Sequence, residues 1–189
     1  MRSAIAGGHG QIALRLAKIL SQRGDEVVAL IRNPDHAGDV RQAGADPVVV
    51  DLEHASEDDV AQAIAGADVV VVCPSNPVVS IGPILAVPGL RDAIVARRAA
   101  VTGVSGIVGG APVAGMADRL MPAVGIEVTA LGVADSYKDF LGAWLVDDAD
   151  APAVPDVEAL GIRCATADTI MVDDGRAEAV ARAALELVS

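Results

Sequence analysis

A glycine-rich turn near the start of the chain has the residue types that hold a phosphate group. Gly7, Gly8 and Gly10 follow a short apolar run, and the amphipathic segment after them opens with Gln11 and Ile12. Glycines allow a tight turn and let a pyrophosphate approach the first backbone amides of a helix. We therefore predict that these five residues bind a nucleotide, with a purely structural turn as the alternative.

The end of the second predicted strand favours one dinucleotide over another. Arg32 and Asn33 stand where an acid would hold the ribose 2′-hydroxyl of NAD. A guanidinium there suits a 2′-phosphate, which predicts NADP as the cofactor; a solvated arginine that begins a turn is the alternative. Asp51 and Leu52, after the third strand, are placed to frame an adenine ring, although an aspartate at a strand end is commonly a helix cap.

A proline-stiffened loop after the fourth predicted strand carries a second group of polar residues. Its sequence, PSNPVVSIGP, presents short hydroxyl and amide groups at a strand end, where open parallel sheets bind ligands. A rigid backbone lowers the ordering cost of gripping a phosphate. The alternative is a polar turn in which Asn76 bonds its own backbone. The substrate-binding residues predicted in this loop are Pro74, Ser75, Asn76, Pro77, Ser80 and Gly82.

The glycine-rich segment after the next strand is placed to extend that site. Ser105, Gly109 and Gly110 are predicted to bring further polar groups and backbone amides to the same sheet edge. The segment is not a hydrolase nucleophile elbow, because a glycine directly follows Ser105 instead of standing two residues after it. No pair of histidine and acid can be assigned to activate this serine, so the sequence leaves the catalytic residues unassigned.

Acidic residues late in the chain are candidate ligands for a hard metal ion. Hard-metal sites need oxygens that converge from separate places, and these short runs do not show such convergence. We therefore predict solvated loop acids and assign no metal ligand. The three histidines also lack metal-ligand spacing. The acids concerned are Asp147, Asp148, Asp150, Asp173 and Asp174.

Three aromatic rings, Tyr137, Phe140 and Trp144, fall in one short window of the chain. They are expected either to line a ligand cavity or to fill one corner of the core. The core interpretation is favoured, because large rings stabilise a core through the area that they bury.

The elements that must position these residues alternate along the chain. Short β-branched runs alternate with amphipathic segments, as in βαβ units that build a parallel sheet. We predict one α/β domain over residues 1–189, with a Rossmann-like, mostly parallel sheet and helices on both faces. The predicted strands are 3–6, 26–31, 47–50, 68–72, 100–104, 127–131, 143–146 and 162–165. The predicted helices are 11–23, 35–43, one that opens at Ser56, 90–98, 116–124 and 176–188.

Composition limits the partners of this domain. The chain has 189 residues, 52% of them hydrophobic, which is enough for one sizeable core. A net charge of -12 excludes a broad footprint for nucleic acid or an anionic membrane. The uncharged run 69–90 is long enough to cross a bilayer, but its four prolines exclude a lipid-exposed helix. With two cysteines and no disulfide framework, we expect a cytoplasmic protein with a small-molecule nucleotide ligand, and a homodimer is one allowed assembly.

Residues 1–71 resemble the N-terminal half of the atypical short-chain dehydrogenase/reductases that bind NADP. The segments that carry the resemblance are GGHGQIALRLA, LIRNPDHAGDVRQAGADPVVVDLE and AIAGADVVV. The family's Tyr-x-x-x-Lys pair is missing, since Tyr137 is followed directly by Lys138. The resemblance therefore implies a dinucleotide-binding half and gives weaker support to reductase chemistry.

From about residue 68 the chain resembles the C-terminal part of the 2-phospho-L-lactate transferases of deazaflavin coenzyme biosynthesis. The matching segments are PSNPVVSIGPILAVPGLRDAI, GVSGIVGGAPVAGMADRLM, GIEVTALGVADSYKDFLGAWLVDDAD and LGIRCATADTIM. The resemblance implies transfer of a phospholactyl-type group from a guanylyl diphosphate donor to a deazaflavin hydroxyl, with release of GMP and assistance from magnesium. In that family the metal-binding acids lie in the N-terminal half, which this chain lacks.

The two resemblances divide the domain into a dinucleotide-binding half, 1–71, and a transferase-like half, 72–189. They meet within AIAGADVVVVCPSNP, where both families place a helix before a buried strand. A natural fusion, an engineered chimera and a generated sequence would each look like this. Three hypotheses follow: a transferase-like enzyme that binds a guanine nucleotide, an NADP-binding oxidoreductase-like protein, and a chimeric fold without catalytic activity.

Overall fold

A parallel sheet of seven strands forms the centre of the described part of the chain, which comprises residues 1–6, 9, 11–50, 56 and 66–188 of a computed structural model. The strands lie in the order β3-β2-β1-β4-β5-β8-β9, and each neighbouring pair is parallel. This arrangement confirms the predicted Rossmann-like α/β fold. The strands are β1 (Arg2–Ala6), β2 (Glu26–Ile31), β3 (Asp46–Val49), β4 (Val69–Val72), β5 (Val101–Val104), β6 (Ile107–Val108), β7 (Ala111–Pro112), β8 (Ala143–Asp147) and β9 (Arg163–Ala167).

Helices connect the strands, and a short antiparallel hairpin of β6 and β7 follows β5. The α-helices of the described residues are α1 (Gln11–Gln22), α2 (Ala37–Gln42), α3 (Gly82–Leu85), α4 (Leu90–Val95), α5 (Ala117–Ala123), α6 (Ala130–Tyr137), α7 (Val154–Ala159) and α8 (Asp174–Glu186). Shorter turns of 3-10 helix occupy Pro34–His36, Arg98–Ala100 and Asp148–Ala153, and a π-helix occupies Pro77–Ile81. Apart from Ser56 itself, the predicted helix that opens there lies outside the described residues.

Both faces of the sheet are covered. In β8, Trp144 and Val146 belong to an apolar cluster that also contains residues of α4 to α7. Leu145 instead packs with Val180 and Ala184 of α8. Successive strand residues point to opposite faces, so a strand covered on both sides carries an unbroken apolar run.

The strand predicted over residues 127–131 is wrong. Most of this segment precedes α6, which begins at Ala130, and the Thr129 hydroxyl caps the helix by accepting a hydrogen bond of 2.9 Å from the Gly132 amide. The buried residues of α6 then recur at intervals of three and four, which is the helical period and not the alternation of a strand. Those residues are Ala130, Val133, Ala134 and Tyr137.

The uncharged run 69–90 does not form a single helix. It is divided among β4, the π-helix, α3 and the first residue of α4. Among the helices that the structure describes, none is both long enough and apolar enough to span a bilayer.

Candidate functional site

A cavity of about 260 Å³ opens at the carboxyl edge of the sheet. Its walls come from segments 73–77 after β4, 104–107 at the end of β5, 112–114 after the hairpin, and 169–171 after β9. Strand ends of an open parallel sheet are the common place for ligands. Among the described residues that line this cavity, none carries a charge. The remaining lining residues are Ala117, Val133, Tyr137 and Trp144.

The predicted ligand loop contributes part of this wall. Pro74, Ser75, Asn76 and Pro77 line the cavity, whereas Ser80 and Gly82 are not among the residues that line it. Asn76 Oδ1 accepts hydrogen bonds of 2.9 and 3.2 Å from the amides of residues 78 and 79, and so caps the π-helix. Asn76 therefore bonds its own backbone, as the alternative interpretation expected, and it also lies at the cavity; its role in substrate binding stays a prediction.

Ser105 holds the start of the hairpin in place. It is 2% exposed, and its Oγ donates to the carbonyl of Ile107 at 2.7 Å and accepts from the Ile107 amide at 3.1 Å. The serine lines the cavity, as the predicted site requires, but its hydroxyl is already engaged with the backbone. Its local role is to fix the chain direction after β5.

The two glycines of the hairpin turn are held away from the cavity. Gly109 and Gly110 have φ values of +58° and +78°, which glycine adopts without strain. The Gly109 amide donates to the carboxylate of Asp150, with distances of 3.0 Å to Oδ2 and 3.2 Å to Oδ1. Neither glycine is among the lining residues of the cavity. The Gly109 amide, which was predicted to donate to a ligand, donates instead to Asp150.

Asp147 is a buried structural anchor that sequence reasoning missed. It was predicted to be a solvated loop acid, and that prediction is wrong because the side chain is 8% exposed. Its Oδ2 accepts 2.9 Å hydrogen bonds from the amide and the hydroxyl of Thr169, and its Oδ1 accepts one of 3.0 Å from the Ala149 amide. Burial by itself raises the pKa of Asp147, but these three hydrogen bonds together hold it below its ordinary value. Thr169 lines the cavity, so Asp147 positions one of its walls.

The other late acids do not converge. Asp148 is exposed, Asp173 caps α8 through the Arg176 amide at 2.8 Å, and Asp174 pairs with Arg15 at 3.1 Å. In the described ranges no group of three or more His, Cys, Asp or Glu side chains is placed to hold a metal ion. These residues do not fit a magnesium site.

The aromatic rings belong to the core, and two of them also reach the cavity. The Tyr137 and Phe140 ring centroids are 5.0 Å apart, and the Tyr137 and Trp144 centroids are 6.2 Å apart in an edge-to-face arrangement. Tyr137 and Trp144 line the cavity, and Phe140 does not. Trp144 Nε1 donates to the Ala130 carbonyl at 3.2 Å, but the buried Tyr137 hydroxyl has no hydrogen-bond partner among the described residues. Burial raises the pKa of Tyr137, which keeps its hydroxyl protonated.

The predicted dinucleotide site lies in the other half of the sheet. Arg32 is exposed directly after β2, and the Asn33 side chain accepts from the Asp35 amide at 3.0 Å. His9 stacks on His36 with ring centroids 3.6 Å apart. The remaining predicted contacts lie outside the described residues or, for the last two, have undescribed side chains: Gly7, Gly8, Gly10, Asp51, Leu52, Gln11 and Ile12.

Comparison with protein families matches residues 35–186 to the family described as 2-phospho-L-lactate transferase CofD. The match begins upstream of residue 68, where the sequence resemblance was expected to start. A phosphoenolpyruvate transferase from Streptomyces griseus subsp. griseus is 56% identical over 129 residues, which are 68% of this chain and 41% of that protein. A 2-phospho-L-lactate transferase from Methanosarcina barkeri is 37% identical over 175 residues, covering 87% of this chain and 56% of that protein. The chain thus spans less than two thirds of the length of these relatives.

Solved structures reproduce the architecture. A short-chain dehydrogenase/reductase family oxidoreductase from Burkholderia thailandensis has a TM-score of 0.51 at 20% identity, covering 100% of this chain and 85% of that one. At this identity the likeness concerns the fold alone.

Proposed function

The chain belongs to the 2-phospho-L-lactate transferase CofD family, and from this premise we propose that its cavity binds a guanylyl diphosphate donor of a phospholactyl-type group. The observation that carries the proposal is the meeting of Pro74, Ser75, Asn76 and Ser105 around one cavity at the carboxyl edge of the sheet. These residues lie within the range 35–186 that matches the family. Ser75 is exposed beside the cavity, where a hydroxyl can donate to a phosphate oxygen.

The proposed reaction is a displacement at phosphorus. The hydroxyl oxygen of a deazaflavin acceptor attacks the phosphorus that bears the lactyl group, the bond from that phosphorus to GMP breaks, and the hydroxyl proton is lost. The contribution of the described residues is to bind and orient the donor. They do not fit magnesium, so no step is assigned to a metal. Nucleotide binding is accordingly the part of this function that the described residues support.

Titration of GDP into the purified protein, with a parallel assay for GMP release from donor and acceptor, tests the proposal. We expect saturable GDP binding. If GDP shows no heat of binding with or without magnesium, and no GMP is released, the proposal is overturned. A folded protein that binds neither GDP nor NADPH would correspond to the third hypothesis, a chimeric fold without activity.

A second function, NADP binding at the first half of the sheet, is favoured by one observation. Arg32 is exposed at the carboxyl end of β2, which pairs with β1 in the register Ala6 to Leu30. In a sheet of this order, β1 and β4 form the point from which the connections run in opposite directions, and dinucleotides bind there. NADPH fluorescence should change on addition of protein, NADH should bind more weakly, and Arg32→Ala should remove the difference. Equal affinities for the two cofactors would contradict this function.

A further inference from the structure

Tyr137 has a hydroxyl that the fold does not use. The residue is 5% exposed, and its Oη has no hydrogen-bond partner in the described part of the chain. A buried hydroxyl without a partner is destabilising relative to phenylalanine at the same place. Since Tyr137 also lines the cavity, a bound ligand is the natural source of the missing partner.

Three other polar side chains of the cavity, two buried and one half-buried, make hydrogen bonds within the protein. The Ser105 hydroxyl is bonded to the backbone of Ile107, and the Thr169 hydroxyl donates to Asp147. Asn76 Oδ1 accepts from two amides of the π-helix. Tyr137 differs from these three residues because its hydroxyl is buried and makes no hydrogen bond within the described residues.

The Tyr137 ring is held where it is. It packs against Phe140 and Trp144, which are 0% and 1% exposed. The ring cannot swing away to solvent without opening this cluster. Because burial raises the pKa of the phenol, the hydroxyl is a neutral donor.

The residues that line the cavity indicate which kind of acceptor atom the Tyr137 hydroxyl can meet. None of the described lining residues is charged, and most are apolar, among them Val104, Ile107 and Met171. Such a wall favours an uncharged, flat group over a phosphate. The phosphates of a nucleotide would instead lie towards the exposed Ser75.

We propose that Tyr137 is a specificity-determining residue that donates a hydrogen bond to a neutral acceptor atom, a ring carbonyl or ring nitrogen, of a planar heterocycle in this cavity. The inference rests on the proposed function, in which two ligands carry such a ring: the guanine of the donor and the deazaflavin of the acceptor. The hydroxyl is covered in the free protein, so the ring reaches it by displacing a lining side chain.

Two hydroxyl deletions test the assignment. Tyr137→Phe removes the hydroxyl at the cavity. Thr102→Val is the control: it removes another buried hydroxyl that has no partner among the described residues, but Thr102 does not line the cavity. GDP and 5-deazariboflavin are titrated separately into the wild type and both variants, and Tm is measured for each. We expect Tyr137→Phe to bind one of the two rings about tenfold more weakly. Thr102→Val should bind both as the wild type does, and neither variant should have a lower Tm.

The outcomes separate the two proposals. If the wild type binds a ring and Tyr137→Phe binds it equally well, the assignment of Tyr137 is overturned and the proposed function stands. If Tyr137→Phe lowers Tm and leaves binding unchanged, the hydroxyl is structural and the assignment also fails. A wild-type protein that binds neither ring overturns both.

Discussion

Asp147 and Thr169 connect two neighbouring strand ends through a pair of hydrogen bonds, each 2.9 Å long, that converge on one carboxylate oxygen. Asp147 ends β8, and Thr169 lies two residues beyond the end of β9. The pair holds the segment 169–171 against the cavity, so a buried acid supports the site without lining it. We therefore expect both the stability of the fold and ligand binding to depend on the Asp147 carboxylate.

Asp147→Asn should destabilise the fold at neutral pH by about 1–3 kcal/mol, because an amide cannot accept hydrogen bonds on both of its ends. The folded pKa of Asp147 is lowered, so the stabilisation is fully present above the ordinary aspartate pKa and is lost as pH falls through the folded value. Urea unfolding of the wild type and of Asp147→Asn, at pH 7 and at acidic pH, measures this stabilisation. The difference in the free energy of unfolding between the two proteins should shrink on acidification. The exposed neighbour provides the control: Asp148→Asn should stay within about 0.5 kcal/mol of the wild type. A difference that is constant with pH would contradict the role of the charge.

Most strands of the sheet were predictable from the sequence, because short apolar runs alternate with amphipathic segments. Strands covered on both faces, such as β4 and β8, carry apolar runs that give a clear signal. The burial of Asp147 was not predictable, since it depends on Thr169 reaching across from the next strand. Only the three-dimensional register brings those two residues together.

Gly103→Ala should lower the free energy of unfolding by about 1–3 kcal/mol through overpacking. A Cβ at this position of β5 would lie 2.6 Å from Cζ3 and 2.9 Å from Cε3 of Trp144. The indole cannot retreat, because Trp144 is 1% exposed and packs on Tyr137. Denaturant unfolding gives the value. Gly38→Ala in α2 is the matched control, since a Cβ there meets nothing within 4 Å; it should be neutral or stabilise by about 0.5–1 kcal/mol. Equal effects of the two substitutions would contradict the packing argument.

The alkylation rates of the two cysteines provide a test of where GDP binds. Burial raises the pKa of Cys73 to about 11, and burial together with Glu158 raises the pKa of Cys164 to about 11. Both thiols should react slowly with iodoacetamide at pH 8 and faster as pH rises, because the thiolate is the reactive form. Cys73 lines the cavity and Cys164 does not. GDP should therefore slow the alkylation of Cys73 alone, as measured by mass spectrometry of the peptides, and equal protection of both cysteines would place the nucleotide elsewhere.

The candidate site was only partly predictable from local pattern. Ser75 and Ser80 are both short hydroxyl residues of one loop, and the sequence does not distinguish them. Ser75 precedes the π-helix Pro77–Ile81 and lines the cavity, whereas Ser80 lies within that helix and does not line it. The sequence left two interpretations of Tyr137 open, a ligand cavity or the core, because its position at the cavity depends on how α6 packs against β8.

The central claim, that the cavity beside segment 73–77 binds a guanine nucleotide, is tested most directly by calorimetric titration of GDP into the wild type, Ser75→Ala and Ser80→Ala. Loss of one hydroxyl hydrogen bond to a phosphate should weaken binding to Ser75→Ala by about tenfold. Ser80→Ala should bind GDP as the wild type does, because Ser80 is not among the residues that line the cavity. Absence of GDP binding to the wild type, or an equal loss in the two serine variants, would contradict the account.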